Sequence, residues 1–256
     1  MRPRFRHTPR FPVLLIAHRG IAARYPENTI PSLEAAAATG ADVVEFDVQV
    51  TRDGALVCVH DETLERTTNG RGRVRDKTLA EIQALDAGGW FAPEFAGLRV
   101  PTLEEALDAV GPKAVLNLEL KQYGDEDPSL ADRTYRAVAE RGHTETVLFS
   151  SFYFGLLRRI REIDAEAPIA ALFHFARGRR PVEESVAIGA RFLGCHHRLV
   201  TAQRMQEAKK AGLLVCPYTI DAPRRADALI DLGVAALITN NVIAMERHLA
   251  TRFSGR

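Results

Sequence analysis

The sequence has little cysteine. Cys58, Cys195 and Cys216 are its only three cysteines, and none forms a C-x-x-C motif. An odd number without that spacing argues against a disulfide framework and against a zinc–thiolate site. Each cysteine lies in an apolar, strand-like run, so we expect all three to be buried and inert. Such cysteine usage is typical of a reducing cytoplasm, which is the location we expect.

Long apolar runs and an excess of one charge are also missing. No stretch approaches the roughly 20 apolar residues that a membrane-spanning helix needs, and the run at 13–17 is too short for a signal-peptide core. The formal net charge is +1, which gives no broad positive field to favour nucleic acid. We therefore expect neither a transmembrane segment nor a nucleic-acid partner. We interpret the early arginines Arg2, Arg4, Arg6 and Arg10 as a solvated terminus, with a contact to anionic lipid or substrate as the alternative.

What the sequence does have is a recurring unit in which a helical pattern ends at a glycine and a short apolar run follows. The glycines are expected to end these helices in the left-handed conformation; they are Gly40, Gly111, Gly189, Gly212 and Gly233. Eight apolar runs are expected to be strands: 13–17, 42–46, 114–118, 146–149, 168–172, 191–194, 213–216 and 235–239. Strands that alternate with helices predict a parallel sheet.

Such a sheet can close into a barrel or stay open and doubly wound. Open nucleotide-binding sheets usually carry a glycine-rich phosphate loop after the first strand, and residues 17–21 contain no such motif. The length of 256 residues lies near the roughly 250 that are usual for a (β/α)8 barrel. We therefore predict an α/β fold, a single (β/α)8 TIM barrel domain over residues 1–256.

The strand–helix rhythm breaks after the second strand. We predict a small insertion there, at about residues 61–100, over one end of the barrel. Thr78 with Glu81 has the spacing of a capping box that opens a short helix, and residues 102–105 repeat that spacing at the start of the next helix. Trp90, Phe91 and Phe95 are expected to anchor the insertion on the barrel, with a hydrophobic wall for substrate as the alternative.

Carboxylates gather where the strands end, which is where barrel enzymes place their working residues. Because side chains alternate along a strand, Glu45 and Asp47 share one face, and Glu119 shares a face with Lys121. Three unpaired carboxylates at the mouth would repel one another and be costly to desolvate. A divalent cation resolves that cost, and all-oxygen ligands favour Mg²⁺, Ca²⁺ or Mn²⁺.

Ion pairing is the alternative explanation for these carboxylates, with Arg19, Lys121 or Arg52 as the partners. Arg19 and Lys121 also suit an anionic substrate, because arginine can hold a phosphate in a bidentate fork and lysine acts as a point charge. His18 and His60 follow neighbouring strand segments, and imidazoles can accept and donate protons near neutral pH. Together these groups indicate phosphoryl chemistry on an anionic diester.

Several motifs, in order along nearly the whole chain, resemble those of the glycerophosphodiester phosphodiesterase family. They are HRG at 18–20 with PENT at 26–29, GAD at 40–42 with EFDV at 45–48 and TRDG at 51–54, HD at 60–61 with RTTNGRG at 66–72, PTLEEAL at 101–107, NLELK at 117–121 and SSF at 150–152. Motifs that are linked in a fixed order are more specific than any one of them. The resemblance implies a (β/α)8 barrel with an insertion after its second strand.

The resemblance also implies an activity and roles for individual residues. The family splits glycerophosphodiesters into sn-glycerol 3-phosphate and an alcohol. The metal ligands would be Glu45, Asp47 and Glu119, and the acid–base pair would be His18 and His60. Arg19 and Lys121 would contact the phosphate, while Glu27 and Asn28 would be supporting or substrate-binding residues.

The sequence departs from the family pattern late in the chain. Residues 218–221 read Tyr-Thr-Ile-Asp where the family often has Trp-Thr-Val-Asn, and residues 239–242 read Thr-Asn-Asn-Val where it often has Thr-Asp-x-Pro. We expect these differences to affect recognition of the alcohol and the glycerol more than the chemistry. His174, His196 and His197 are interpreted as plain polar residues at the mouth.

Two other functions stay open. A lysophospholipase D-type phosphodiesterase could use the same barrel but would need an apolar groove for an acyl chain. A catalytically silent barrel could bind phosphodiesters without turnover, although such a protein would be expected to have lost a catalytic histidine or carboxylate. The sequence predicts neither the preferred alcohol nor the oligomeric state.

Overall fold

The computed structural model describes residues 10–124, 127–175 and 178–254. Arg2, Arg4 and Arg6 lie outside these ranges, so the interpretation of the early arginines remains a prediction. Among the described residues, no helix combines the length and apolarity needed to cross a bilayer.

Parallel strands and helices alternate along the chain. The strands are β1 (Leu14–His18), β2 (Val43–Val50), β3 (Leu56–Val57), β4 (Val115–Leu120), β5 (Val147–Ser151), β6 (Ile169–Phe173), β7 (Phe192–His196), β8 (Leu214–Tyr218) and β9 (Ala236–Thr239). The α-helices are α1 (Ile30–Ala37), α2 (Leu79–Gln83), α3 (Leu103–Val110), α4 (Ser129–Glu140), α5 (Phe154–Ile163), α6 (Pro181–Ala187), α7 (Ala202–Lys210), α8 (Pro223–Asp231) and α9 (Val242–Phe253). Short 3-10 helices cover Val74–Asp76, Pro93–Phe95 and His197–Leu199.

The parallel strands form a nearly closed barrel in the order β8-β7-β6-β5-β4-β2-β1-β9. Backbone hydrogen bonds join its two ends: the Ala235 amide donates to the Val215 carbonyl at 2.9 Å, and the Ile220 amide to the Ile238 carbonyl at 2.8 Å. The short strand β3 pairs antiparallel with the end of β2 and leads into the insertion. The predicted (β/α)8 barrel is confirmed. Each of the eight apolar runs overlaps one of its strands, and all of these strands except β9 extend beyond the predicted run.

The barrel core has two layers, because strand side chains point alternately inward and outward. The outer layer joins strand residues such as Phe46 and Phe149 to the surrounding helices. The inner layer is drawn from the strands and includes Ile16, Val43 and Leu148. Two residues further along β1, β2 and β5, the same inward face carries His18, Glu45 and Ser150. An apolar plug therefore closes the barrel below a polar mouth.

The glycines that end the helices are of two kinds. The left-handed conformation predicted for them occurs at Gly189, Gly212 and Gly233, whose φ angles are 68°, 72° and 85°. The prediction of a left-handed conformation is wrong for Gly111, where φ is −53°, and for Gly40. A Cβ at Gly111 would lie 2.4 Å from His143 Nε2, so close packing, rather than backbone conformation, requires glycine there.

The insertion has a small apolar cluster of its own, which includes Val57, Leu64, Val74 and Ile82. The aromatic side chains of the insertion contact one another, and Phe95 also contacts Tyr25 in the loop after β1. The ring centroids of Trp90 and Phe91 lie 5.6 Å apart, those of Phe91 and Phe95 lie 5.7 Å apart, and those of Phe95 and Tyr25 lie 5.7 Å apart. These contacts fit the anchoring role predicted for the aromatic residues.

Both predicted capping boxes are present. The Thr78 hydroxyl accepts from the Glu81 amide while the Glu81 carboxylate accepts from the Thr78 amide, and Thr102 and Glu105 repeat the arrangement at the start of α3. The second box lies where the chain returns from the insertion to the barrel. A hydrogen bond joins the two ends of the insertion there: the Cys58 amide donates to the carbonyl of Pro101, the residue before Thr102, at 2.9 Å.

Replacing Thr102 with Ala should destabilise the protein by about 1 kcal/mol, because the first turn of α3 loses its side-chain acceptor. For a chain of this size the melting temperature should fall by roughly 2–4 °C, which thermal unfolding followed by circular dichroism would measure. Thr102→Ser keeps the hydroxyl and is the matched control. An equal loss in both variants would contradict the capping explanation.

Candidate active site

A cavity of about 440 Å³ opens at the carboxyl ends of the barrel strands. It is lined on one side by His18, Arg19, Glu45, His60, Glu119 and Lys121, and on the other by Phe152, His174, His196, His197 and Tyr218. Most residues predicted from the sequence to form the site therefore meet in one place. Asn28, Glu27 and Asp47 lie directly behind this wall.

The three predicted metal ligands form a compact cluster. Glu45 and Asp47 lie on β2 and Glu119 lies on β4, where Asp47 and Glu119 are register partners. The carboxylate oxygens that they offer all lie within 4.8 Å of one another. Within the described ranges, this is the only group of three or more acidic, histidine or cysteine side chains with such geometry.

Two cations neutralise part of this acidic cluster. Arg19 Nε lies 3.3 Å from Asp47 Oδ2, and Lys121 Nζ lies 3.4 Å from Asp47 Oδ1. Lys121 also donates a hydrogen bond to Glu119. Burial alone would raise the pKa of Asp47, but the two cations outweigh burial and lower it.

The ion-pair alternative is therefore right for Arg19 and Lys121, and wrong for Arg52. The guanidinium of Arg52 lies 3.2 Å from Glu81 in the insertion, because Arg52 follows the end of β2 and turns away from the mouth.

Arg19 and Lys121 leave one negative charge of the acidic cluster uncompensated, and it falls on Glu45. Its pKa is raised by burial first and then by the neighbouring charges of Asp47 and Glu119. Glu45 Oε2 accepts from the Arg19 amide at 2.8 Å. Its other oxygen, Oε1, is buried without a hydrogen-bond partner among the described residues. A buried, partnerless carboxylate oxygen within a set of three carboxylates fits a hard divalent cation.

The loop after β1 holds this cluster in shape. Arg19 and Asn28 both adopt left-handed backbone conformations, with φ angles of 56° and 58°, which are uncommon for residues other than glycine. Asn28 Nδ2 donates to Asp47 Oδ2 at 2.8 Å, and the Asp47 amide donates to Asn28 Oδ1 at 3.2 Å. Glu27 accepts from Arg19 NH1 at 2.7 Å. The backbone strain is therefore offset by contacts that orient Arg19 and Asp47.

His60 is held on both its ring and its backbone. Its Nδ1 lies 2.6 Å from Asp61 Oδ1, and Asp61 is paired in turn with Arg66, which lowers the pKa of Asp61 to about 2 against the opposing effect of burial. The Tyr123 hydroxyl donates to the carbonyl of His60, and Gln49 donates to the carbonyls on either side of it.

Arg66, Tyr123 and Gln49 were not predicted as site residues. The only sequence signal for them is their position within or beside the family-like motifs.

His18 has a different partner. Its Nδ1 lies 2.7 Å from Asn240 Oδ1, and Asn240 is bound by Asp221. Burial, together with the charge of Arg19, lowers the pKa of His18 to about 4. The departures at 221 and 240 were expected to affect mainly alcohol and glycerol recognition. That expectation stays a prediction; the structure places both residues behind His18, with Asn240 in contact with its ring and Asp221 in contact with Asn240.

The far wall of the cavity is a group of aromatic rings. The centroids of His174 and His196 lie 5.2 Å apart, and those of His196 and His197 lie 4.6 Å apart. Arg225 donates to His197 Nδ1 at 3.1 Å. None of these histidines belongs to an acidic or cysteine cluster in the described part of the chain, which fits the polar role predicted for them.

Comparison with protein-family models gives a match over most of this chain. The model of the glycerophosphoryl diester phosphodiesterase family matches residues 18–244. A glycerophosphodiester phosphodiesterase of Caldanaerobacter subterraneus is 37% identical over 229 residues, which cover 89% of this chain and 94% of that protein. One of Bacillus subtilis is 34% identical over 247 residues, which cover 89% and 83%.

Solved structures resemble the whole fold. A phosphodiesterase of Oleispira antarctica, in complex with the product sn-glycerol-3-phosphate, has a TM-score of 0.87 at 29% identity, over 92% of this chain and 96% of that one. A glycerophosphodiester phosphodiesterase of Agrobacterium tumefaciens has a TM-score of 0.78 at 28% identity, over 92% and 99%.

The raised pKa of Glu45 predicts how stability depends on pH when a chelator removes divalent ions. A carboxyl whose pKa is higher in the folded state stabilises the protein below its unfolded pKa, near 4.3. That contribution is lost as pH rises through the folded pKa. The Glu45→Gln variant should lack this loss. Melting temperatures measured across pH in chelator would show wild type falling more than the variant.

Divalent ion should then stabilise the two proteins to different extents. An ion at 100 times its Kd should stabilise wild type by about 2.7 kcal/mol, and Glu45→Gln by much less. Glu34→Gln, an equal change on an exposed face of α1, is the control and should behave as wild type. Equal stabilisation of all three proteins by Mg²⁺, Ca²⁺ and Mn²⁺ would contradict a metal site at Glu45.

Proposed function

The chain belongs to the glycerophosphoryl diester phosphodiesterase family, and we propose that it hydrolyses glycerophosphodiesters to sn-glycerol 3-phosphate and an alcohol. The observation that carries the proposal is the meeting of His18, His60 and the acidic cluster around one cavity at the strand ends. The sn-glycerol-3-phosphate held by the Oleispira protein supports this substrate class.

Arg19 and Lys121 are proposed to bind the phosphate. Both are largely buried and both line the cavity, so their charges act on an anion with little screening by water. Glu45, Asp47 and Glu119 would hold one divalent ion, Mg²⁺, Ca²⁺ or Mn²⁺, which would offset charge on the phosphoryl oxygens. A phosphate that meets these groups is fixed in position before any bond changes, which lowers the entropic cost of reaction.

His18 and His60 are proposed as the general acid and base. The Nδ1 of each ring is occupied by a partner, Asn240 for His18 and Asp61 for His60. Each ring therefore has its Nε2 left to exchange a proton with the substrate. One histidine removes a proton from the nucleophile, which is water or the neighbouring glycerol hydroxyl, and the other protonates the departing alkoxide.

Glu27 and Asn28 are proposed to support the site more than to bind substrate. Glu27 joins Arg19 to Arg66, and Asn28 orients Asp47. We also propose that the chain is one domain, with residues 61–100 as its insertion, and that it acts in the cytoplasm, on the ground that Cys58, Cys195 and Cys216 are free and buried.

Release of glycerol 3-phosphate from glycerophosphocholine tests the activity. Wild type should release it with Mg²⁺, Ca²⁺ or Mn²⁺ and lose activity in chelator. No turnover of any glycerophosphodiester with any of the three ions would overturn the proposal.

Replacing His18 or His60 with Ala should lower kcat by roughly 10²–10⁴-fold, the usual contribution of a general acid or base. The shift in melting temperature on adding divalent ion should survive, because neither ring belongs to the acidic cluster. His248→Ala is the control, since His248 pairs with Asp227 at 2.9 Å on the outside of the barrel. Retained turnover would remove that histidine from the mechanism.

A lysophospholipase D activity is the second candidate. The observation in its favour is Phe175, which is 72% exposed and whose ring lies 4.3 Å from that of His174 at the mouth. We expect hydrolysis of glycerophosphocholine to exceed that of lysophosphatidylcholine, because charged side chains such as Arg19, Glu45 and Lys121 line one side of the cavity. The ratio of kcat/KM for the two substrates measures this, and a ratio below one would favour the second candidate.

A further inference from the structure

Two consecutive contacts, from Asp221 to Asn240 and from Asn240 to His18, lead from the surface of the barrel to a ring at the mouth. The Asp221 carboxylate accepts from the Asn240 backbone amide at 2.8 Å through Oδ1 and from Asn240 Nδ2 at 2.8 Å through Oδ2. Asn240 Oδ1 then lies 2.7 Å from His18 Nδ1. The Thr239 hydroxyl donates to Asp221 Oδ1 at 2.9 Å, so the carboxylate is itself held in place.

The direction of these bonds determines where His18 carries its hydrogen. A side-chain amide has one donor end and one acceptor end, whereas a carboxylate can only accept. Asp221 therefore requires the Nδ2 end of Asn240, which leaves the Oδ1 end toward His18. That oxygen accepts only, so the hydrogen must be on Nδ1 of the imidazole. Nε2 is then left with a free lone pair.

We propose that Asp221 is a positioning residue that acts through Asn240 to hold His18 in the Nδ1–H tautomer. The proposal rests on the proposed function, because it specifies the state in which His18 enters the reaction. His60 obtains the same tautomer more directly, since its Nδ1 meets the carboxylate of Asp61. His18 differs from His60 in that the neutral amide of Asn240 lies between its ring and the carboxylate of Asp221.

Asp221 could also serve only to close the barrel. The amide of the preceding residue, Ile220, bonds to Ile238 of β9, so the bonds from Asp221 to Thr239 and Asn240 continue the junction between β8 and β9. A purely structural role would lower stability when Asp221 is changed, without altering the tautomer of His18. The experiment must therefore read the tautomer itself.

Nitrogen-15 NMR of protein labelled at its histidines distinguishes protonated from unprotonated ring nitrogens. His18 is assigned by comparison with the His18→Gln spectrum. Wild type at pH 7 should show His18 with Nδ1 protonated and Nε2 unprotonated. The opposite tautomer in wild type would overturn the proposal, whatever the activity of the enzyme.

The variant Asp221→Asn removes the need for Asn240 to direct its Nδ2 toward residue 221. An amide at 221 can bond to either end of Asn240, so Asn240 can turn its Nδ2 toward His18 and favour the Nε2–H tautomer. We expect a mixture of tautomers and a fall in kcat of about 10-fold or more, with KM changed much less. Unchanged tautomer and unchanged kcat would overturn the proposal.

The double exchange Asp221→Asn with Asn240→Asp gives the sharpest test. The amide at 221 now donates to a carboxylate at 240, which accepts from His18 Nδ1–H. The Nδ1–H tautomer should return, and kcat should recover most of the loss seen in Asp221→Asn. A double variant that folds but stays as impaired as the single variant would overturn the proposal.

Asp231→Asn is the matched control, because it makes the same chemical change on α8, where Asp231 pairs with Arg252. It should leave both the His18 spectrum and kcat unchanged. The melting temperature of every variant is measured alongside. A wild type that shows the expected tautomer but hydrolyses no glycerophosphodiester would refute the proposed function and leave the tautomer assignment standing.

Discussion

The burial of three carboxylates at one end of a barrel is the constraint on which the rest of the site depends. Glu45, Asp47 and Glu119 are almost fully removed from water, at a distance where like charges repel strongly. Arg19 and Lys121 offset two of the three charges, and burial, followed by the charges of Asp47 and Glu119, raises the pKa of Glu45. The excess of negative charge that remains in this cluster is what would attract a divalent ion.

The barrel makes this burial possible by separating its apolar and polar interiors along the strand direction. Ile16, Val43 and Leu148 belong to the lower layer, so the carboxylates lie above a layer of buried apolar side chains. Parallel strands bring Asp47 and Glu119 into register, and Asn28 in the loop after β1 then orients the Asp47 carboxylate. Strands β2 and β4 therefore carry the three carboxylates, while Arg19, His60 and Lys121 lie just beyond the strands.

The two histidines are supported by different networks, although they face one cavity. His60 is backed by Asp61 and Arg66, which belong to the insertion and connect through Glu27 to Arg19. His18 is backed by Asn240, at the junction that closes the barrel. A substitution in the insertion should therefore alter the position of His60 first, whereas a substitution at the junction of β8 and β9 should alter that of His18.

The sequence by itself determined the parts that follow from periodicity and motif order. These are the eight strands of the barrel, the inward face that Glu45, Asp47 and Glu119 share, the break in rhythm at the insertion, and the two histidines at strand ends. What it could not predict depends on contacts between distant segments. Gly111 is required by packing against His143, and Arg52 turns to Glu81. Asn240 reaches His18 across 222 positions of sequence, because only closure of the barrel brings the last strand beside the first.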